Sequence, residues 1–378
     1  MEKERIVWID WLRVAACFMV MVVHSTEPFY LGGEGSLIAS RSDALWAAFF
    51  DSIVRCCVPL FVIASSYLQF PLHYSAGEFL RRRAVRILVP FVLWSVFYAI
   101  YWGEPVSNLK DLVFNFNYAA GHLWFVYMLI GLYLIMPILS AWAERVQKKE
   151  LGIYIAIWLF TTLIPLLRDY LSTEPLAFAY GPTGIPRQAL YPLWGEASWN
   201  GYGTFYYMSG FIGYLFIGLW LRKFGAGISL RKSLCCGIPC FLAGFAIVFG
   251  GFIRRVEISA GGRFPVEGPI GMGVWWETTW INDTIGVALM TIGLILLFKN
   301  IHASGAFYNR IILPISKASY GMYLGHMVAL SAFAGLFRSL IPSTPLVILA
   351  TSACSFVTVA IAAVLIQRIP VVGKYIAG

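Results

Sequence analysis

Apolar runs long enough to cross a lipid bilayer recur along the whole of this 378-residue chain. A transmembrane helix needs about 20 mainly apolar residues. The sequence therefore predicts ten spans, at residues 7–29, 44–70, 87–102, 122–141, 151–167, 202–221, 233–252, 277–298, 311–337 and 345–367. Only 12% of the residues are charged, against roughly 25% in soluble domains. The predicted fold class is all-α, a polytopic membrane helix bundle of about ten transmembrane helices.

The basic residues between these spans are distributed unequally. Of the 28 Lys and Arg residues, 17 fall on one side of the predicted membrane, eight on the other and three within spans. Because the side richer in Lys and Arg faces the cytoplasm, both termini are predicted to be cytoplasmic. The net charge of +9 therefore reflects basic residues that set the topology. No basic run has the length or the context that nucleic-acid binding requires, so no nucleic-acid partner is expected.

The first span carries ionisable side chains at Asp10, Arg13, His24 and Glu27, where lipid disfavours them. Such a group costs about +2.5–3.5 kcal/mol to insert and is by default a functional candidate. Arg13 and His24 share one helix face, since 11 steps of 100° end about 20° past three turns, and they are about 16 Å apart along the axis. Asp10 is close enough in sequence to pair with Arg13, and Glu27 is close enough to orient His24.

Two interpretations of this stripe stay open at this point. In the first, Arg13 near the cytoplasmic end holds phosphate or carbonyl oxygens of a long anionic ligand. His24, further along, then accepts a proton at the reactive end of that ligand. In the second, Asp10 and Arg13 form a buried structural pair, and His24 donates to a backbone carbonyl.

A cluster of arginines stands at the cytoplasmic start of the third span, in FLRRRAVRILVP (79–90). Arg82, Arg83 and Arg86 are candidates for holding a phosphorylated cytosolic molecule, because guanidinium groups bind phosphate oxygens in a bidentate manner. The alternative is that they only anchor the span, as basic residues at the cytoplasmic end of a helix commonly do.

The ninth span contains the stretch SYGMYLGHM (319–327). His326 is about 22 Å from the cytoplasmic end of that span at 1.5 Å per residue, a depth that approaches the level of His24. Gly321 and Gly325 form a pair of small residues that allows another helix to approach closely. A functional histidine and a packing face are compatible interpretations of this stretch.

The outer entry to the eighth span reads WWETTWINDT (275–284). Glu277 is expected at the level of His24, where it either orients a histidine or binds a hydroxyl group. The alternative is an interfacial acid among anchoring Trp side chains. Asp51 and Arg55 are four positions apart in the second span and are predicted to form a structural ion pair.

Together these motifs resemble the bacterial membrane acyltransferase family 3, the integral-membrane O-acyltransferases of surface glycans. The stretches that carry the resemblance are Arg13 with His24 after ten residues, PLFVIASSYL (59–68), Arg83 with Arg86, HLWF (122–125) and SYGMYLGH (319–326). The second of these is similar to a Phe-Phe-x-x-Ser-Gly stretch of the family. In this chain Val62 replaces the second Phe and Ser66 replaces the Gly.

The resemblance implies an acyl-CoA donor, most simply acetyl-CoA, on the cytoplasmic side and a glycan hydroxyl as acceptor on the outer side. It places the protein in the inner membrane of a bacterium, with no metal expected. In this interpretation the catalytic residues are His24, Arg13, Asp10 and Glu277, with Arg13 braced by Asp10. The donor is bound by Arg82, Arg83, Arg86, Ser65, Tyr323 and His326, of which the last two line the same cavity as His24.

Residues 1–378 are expected to form a single transmembrane acyltransferase domain, without the extracytoplasmic hydrolase-like domain that some members of the family carry. The acyl group then goes directly to the acceptor or to a partner protein of envelope synthesis. Whether His24 acts on the acceptor hydroxyl or on the nucleophile of an intermediate stays open. A transporter of a lipid-linked sugar or an anionic solute is the alternative function, because intramembrane Arg and His also suit transport. The sequence lacks the internal symmetry that transporters often have.

Overall fold

The computed structural model describes residues 5–32, 35–103, 105–114, 118–171, 194–195, 200–371 and 373–378. Most of the regular structure is helical. The helices are α1 (Val7–Thr26), α2 (Arg41–Val54), α3 (Cys57–Gln69), α4 (Ala76–Arg83), α5 (Val89–Tyr101), α6 (Pro105–Phe114), α7 (Trp124–Arg145), α8 (Lys148–Thr161), α9 (Ile164–Leu171), α10 (Ile212–Phe224), α11 (Leu230–Ala260), α12 (Ile270–Trp276), α13 (Ile285–Phe298), α14 (Leu313–Leu340), α15 (Thr344–Gln367) and α16 (Gly373–Ile376). The strands are β1 (Leu31–Gly32), β2 (Gly35–Ile38) and β3 (Val266–Gly268).

The long helices confirm an all-α polytopic bundle. Within the described ranges, eight helical segments are long and apolar enough to cross a membrane. Gly271–Trp280 and Ile285–Phe298 add a ninth if this pair, bent by 44°, forms one span. These nine correspond in order to nine of the ten predicted spans. The exception is the span predicted at 202–221, where α10 has 13 residues, about 20 Å at 1.5 Å per residue.

Helix α10 is held inside the bundle by close backbone contacts. The Ser66 hydroxyl of α3 donates to the Leu215 carbonyl at 2.6 Å. A Cβ atom on Gly218 would lie 2.5 Å from the Cβ of Ser66, and one on Gly213 would overlap the Trp158 ring. The serine that replaces the family's glycine in PLFVIASSYL is therefore accommodated by a glycine on the neighbouring helix.

Two π turns widen the helices next to the predicted site. One, Ala84–Leu88, joins α4 to α5, and the other, Tyr308–Ile312, precedes α14. Each is followed two residues later by a proline, Pro90 and Pro314. Proline has no N–H and its ring clashes with the carbonyl four residues earlier, so the regular hydrogen-bond ladder is interrupted there. Turns of this kind are frequent at functional sites.

Both ends of the chain lie at the same end of the bundle, as predicted. Asp10 of α1 accepts hydrogen bonds from Tyr308, in the π turn before α14, and from Ser316 in the first turn of α14. The C-terminal segment packs against the same part of α14, because a Cβ atom on Gly321 would lie 2.7 Å from the Cβ of Ala377. Gly325 approaches the Trp94 ring equally closely, which confirms the predicted packing face. That this end is cytoplasmic stays a prediction.

A small antiparallel sheet caps the opposite end of the bundle. Its strand order is β1-β2-β3, with Ser36 of β2 opposite Gly268 of β3. The Ser36 hydroxyl donates to the Pro269 carbonyl at 3.1 Å and accepts from the Gly273 amide at 2.8 Å. These bonds tie the segment after α1 to the chain that enters α12, and Glu277 follows directly after that helix.

Candidate active site

A cavity of about 390 Å³ enters the bundle between α1, α3, α7 and α14. Its size falls in the range of small-molecule sites, about 300–1,000 Å³. Five cationic side chains line it towards the end that carries both termini: Arg5, Arg13, Arg83, Arg86 and Lys317. His24 and His122 line the cavity at its deep end, away from the termini. The arrangement suits a long ligand with an anionic head and a reactive tail.

A second cavity, of about 230 Å³, lies on the other side of the same histidines. The first cavity is called the inner cavity below, and this one the outer cavity. The residues it shares with the first cavity are Val20, His24, Val58, His122 and Trp124. Its own polar side chains are Glu27, Arg55, Glu277 and Asn282. The two cavities therefore meet at His24 and His122, one with a cationic wall and the other with two carboxylates.

His24 is oriented by Glu27, as the sequence predicted. Its Nδ1 lies 2.7 Å from Oε1 of Glu27, the first residue of the 3-10 turn that follows α1. Because an ionised carboxylate only accepts hydrogen bonds, the ring proton is on Nδ1. Nε2 of a neutral His24 is then left with a free lone pair. This is the arrangement in which a carboxylate fixes the tautomer of a histidine base.

Three of the five histidines of the chain form one cluster. The His326 ring centroid lies 5.1 Å from that of His24 and 5.0 Å from that of His122. The predicted similarity in depth of His24 and His326 is thus confirmed. His326 is completely buried, and its Nδ1 donates to the Tyr323 carbonyl. Of the two residues expected to line the cavity, Tyr323 does so, whereas His326 lies behind the two cavity histidines.

The prediction that Asp10 braces Arg13 is wrong. The Asp10 carboxylate pairs with Arg5, whose Nε and Nη2 atoms lie 2.8 Å and 2.9 Å from its oxygens. It also accepts from the Tyr308 hydroxyl at 2.6 Å and the Ser316 hydroxyl at 2.5 Å. Four donor atoms, two of Arg5 and one each of Tyr308 and Ser316, saturate Asp10, so it joins α1 to the start of α14. Arg13 instead lines the cavity.

Replacing Asp10 is therefore expected to affect stability more than donor binding. Asp10→Ala leaves Arg5, Tyr308 and Ser316 without their acceptor, at a cost of about 2–4 kcal/mol in the free energy of unfolding. The measurement is thermal unfolding in detergent, with Glu144→Ala as the control because Glu144 is exposed. An unchanged melting temperature with a strongly raised KM for the donor would contradict this role.

The arginine cluster divides into cavity and surface residues. The Arg83 guanidinium carbon lies 5.4 Å from the Phe79 ring and 5.5 Å from the Tyr133 ring, and both Arg83 and Arg86 line the cavity. Arg82 points elsewhere: it pairs with Glu78 at 2.5 Å, and its guanidinium carbon is 4.2 Å from the Tyr74 ring. One of the three arginines expected to bind the donor is thus engaged at the surface.

Alanine substitutions of Arg82 and Arg83 should give different results. Arg83→Ala removes a cation from the cavity and is expected to raise the KM for the anionic donor roughly tenfold or more, the usual worth of a hydrogen bond to a charged group. Arg82→Ala should change that KM by less than about fivefold, because Arg82 does not line the cavity and its exposed pair with Glu78 is worth about 0–1 kcal/mol. Donor titrations of the two purified variants make the comparison. Equal effects would mean that the surface cation also holds the donor.

The middle of the cavity wall is polar. The hydroxyls of Ser65 and Tyr133 lie 3.1 Å apart, and the Gln69 amide donates to Ser65 Oγ at 2.6 Å. The Tyr323 hydroxyl donates to the carbonyl of His122 at 2.5 Å. Ser65 and Tyr323, both predicted as donor-binding residues, therefore lie in the wall between the cationic end and the histidines.

Sequence reasoning missed several residues of this cavity. Lys317 offered a signal, since it is an ionisable residue within a predicted span. Gln69 offered another, because it is four positions from Ser65 and so on the same face of α3. Arg5 was counted only as a cytoplasmic loop charge. Nothing in the local sequence distinguishes Tyr133 from the other aromatic residues of α7.

Glu277 lies in the outer cavity, where it contacts Tyr30 and Arg55. The Tyr30 hydroxyl donates to Glu277 Oε1 at 2.8 Å, and Arg55 Nη2 is 3.7 Å from Oε2. Burial and the adjacent carboxylate raise the pKa of Tyr30, so its hydroxyl stays protonated and donates. The predicted Asp51–Arg55 pair is confirmed at 3.1 Å. Glu277 thus neighbours His24 in one cavity, while Glu27 is the carboxylate that orients it.

Within the described parts of the chain, no group of three or more His, Cys, Asp or Glu side chains is arranged to hold a metal ion. The chain matches the family described as Acyltransferase domain over residues 6–366. It therefore belongs to the membrane acyltransferase family 3. Comparisons with curated proteins and with solved structures returned no match. The fold and the family together define a multi-pass membrane acyltransferase.

Proposed function

We propose that this acyltransferase moves an acyl group, most simply acetyl, from cytosolic acyl-CoA to a hydroxyl of an extracytoplasmic or lipid-linked glycan. The membrane is the inner membrane of a bacterium. The observation that carries the proposal is the meeting of two cavities at His24, one lined by five cations and the other by two carboxylates. An anionic donor and a hydroxyl acceptor can then approach the same histidine from opposite sides.

The donor occupies the inner cavity. Its nucleotide phosphates bind Arg83 and Arg86 near the membrane surface, where planar guanidinium groups match phosphate oxygens. Arg13 lies deeper and contacts the chain of the donor. From there the ligand has about 16 Å of helix length to His24, a distance suited to an extended arm ending in a thioester. The polar wall at Ser65 and Tyr323 lies along this route.

The acyl group is transferred with His24 as general base. His24 Nε2 removes the proton from the acceptor hydroxyl while the hydroxyl oxygen attacks the thioester carbonyl carbon. The new C–O bond forms and the C–S bond breaks. The imidazolium then gives the proton to the departing CoA thiolate. Glu27 stabilises the cationic ring during the step. General-base catalysis of this kind typically contributes about 10²–10⁴-fold.

The proposal is tested with the purified protein, labelled acetyl-CoA and surface glycan. Covalent label in the glycan and stoichiometric release of free CoA support it. Uptake of glycan or solute into vesicles without covalent label would instead favour the transporter. Mass spectrometry of surface glycans from cells with and without the gene identifies the acceptor, and competition by succinyl-CoA identifies the preferred acyl group.

A further inference from the structure

The outer cavity holds two carboxylates, and among the described residues each has a hydrogen bond to only one of its oxygens. Glu27 uses Oε1 for His24, and Glu277 uses Oε1 for the Tyr30 hydroxyl. The nearest charged partner of Glu277 Oε2 is Arg55 at 3.7 Å, beyond hydrogen-bond length. Each carboxylate therefore has an oxygen available in the same space, next to the catalytic histidine. Carboxylate oxygens are strong acceptors for hydroxyl donors.

Arg55, which lines this cavity, is already paired with other groups of the protein. Arg55 Nη1 lies 3.1 Å and 3.3 Å from the oxygens of Asp51, and its Nε donates to the Trp280 carbonyl at 2.9 Å. Arg55 thus offsets about one of the three carboxylates of Asp51, Glu27 and Glu277. With one guanidinium against three carboxylates, the formal charge of these side chains is negative. An anion entering here would meet repulsion in a partly buried site, where charges are poorly screened.

The remaining walls suit a ring with both polar and apolar faces. Asn282 contributes an amide that donates and accepts, while Trp124 and Val23 contribute apolar surface. A sugar ring presents C–H groups on its faces and hydroxyls around its edge. Both kinds of wall are within one cavity of about 230 Å³ that ends at His24.

We propose that this cavity is the acceptor subsite and that it selects an uncharged, hydroxyl-rich sugar ring over an anionic one. Two ring hydroxyls donate to the free oxygens of Glu27 and Glu277, and a third points to His24 Nε2. A carboxylate or phosphate on the ring is rejected by the same two side chains. This inference rests on the proposed acyl transfer to a glycan, since it assigns the acceptor of that reaction.

The test compares two acceptors that differ in one group, a neutral methyl hexoside and the matching methyl hexuronoside, with labelled acetyl-CoA and the purified protein. The wild type is expected to prefer the neutral acceptor at least tenfold in kcat/KM. Glu277→Gln should lower kcat/KM for the neutral acceptor roughly tenfold. It should also reduce the ratio of kcat/KM between the neutral and the anionic acceptor. Glu277→Asp keeps the negative charge on a shorter side chain. It should lower kcat/KM for the neutral acceptor but keep the preference for the neutral over the anionic acceptor.

Glu257→Gln is the matched control, because Glu257 pairs with Arg41 at 2.7 Å outside this cavity. This substitution should leave kcat/KM unchanged for both acceptors. Equal use of the two acceptors by the wild type, or an unchanged preference in Glu277→Gln, would overturn the inference. If Glu277→Gln does not fold, the inference is still tested by the ratio of kcat/KM between the two acceptors in the wild type and in Glu277→Asp. A wild-type protein that neither binds acetyl-CoA nor releases CoA would instead contradict the proposed function itself.

Discussion

His24→Ala is expected to lower kcat for acyl transfer by about 10²–10⁴-fold, the usual contribution of a general base. The donor should still bind, because the cations that hold it lie at the other end of the inner cavity. Glu27→Gln should produce a smaller loss. The amide oxygen still accepts from Nδ1, but it no longer provides the negative charge that stabilises the imidazolium. The measurement is the rate of label transfer from acetyl-CoA at saturating donor.

His73→Ala is the control for this pair of variants. His73 is exposed in the loop between α3 and α4, so its loss should leave the rate unchanged. A His24→Ala protein that inserts and folds normally and still acylates its acceptor at the full rate would contradict the assignment. A raised KM for the donor with unchanged kcat would mean that His24 only positions the donor.

Arg13→Ala is expected to raise the KM for acyl-CoA by roughly 10–100-fold, because hydrogen bonds to charged groups are worth about 1.5–3 kcal/mol. The side chain lines the cavity on the helix face that also carries His24. Its predicted partner, Asp10, is saturated by other donors, so the guanidinium is available to a ligand. Arg13→Lys retains the charge but loses the planar fork, and should recover only part of the affinity.

Equilibrium binding of a non-hydrolysable acyl-CoA analogue separates this effect from catalysis. The control is Arg222→Ala, whose guanidinium carbon lies 5.5 Å from the Tyr67 ring, outside the lining of the inner cavity. Unchanged donor affinity in Arg13→Ala, together with a lowered melting temperature, would make Arg13 a structural residue. That outcome would revive the interpretation in which the charges of the first span only hold the fold.

The sequence predicted the bundle well because membrane spans depend on local composition. A run of about 20 apolar residues is visible without knowledge of its neighbours. Helix α10 shows the limit of that signal. Residues 202–221 are apolar enough to suggest a span, yet Gly203–Met208 form a 3-10 turn and the helix starts only at Ile212. Its position depends on close contacts with α3 and α8, which no local pattern reports.

The site was predictable where its residues share one helix and not where they come from distant segments. The stripe from Arg13 to His24 and the Glu27 contact follow from helix geometry alone. Asp10 was misassigned because Arg5, which precedes the helix, takes the ion pair, and because its further donor Ser316 is 306 positions away. Spacing within α1 made Arg13 the natural candidate, but tertiary packing supplied better donors. The cluster of His24, His122 and His326 depends on three separate helical segments and was recognised only in part.

In the proposed reaction, donor and acceptor reach His24 from opposite ends of one path through the bundle. The most direct test uses proteoliposomes with a single protein orientation. Labelled acetyl-CoA is supplied on one side only and the neutral acceptor on the other. Labelled acceptor is expected only when acetyl-CoA is on the side that carries Arg83 and Arg86. Product formed equally well with both substrates on one side, and none across the membrane, would contradict the account.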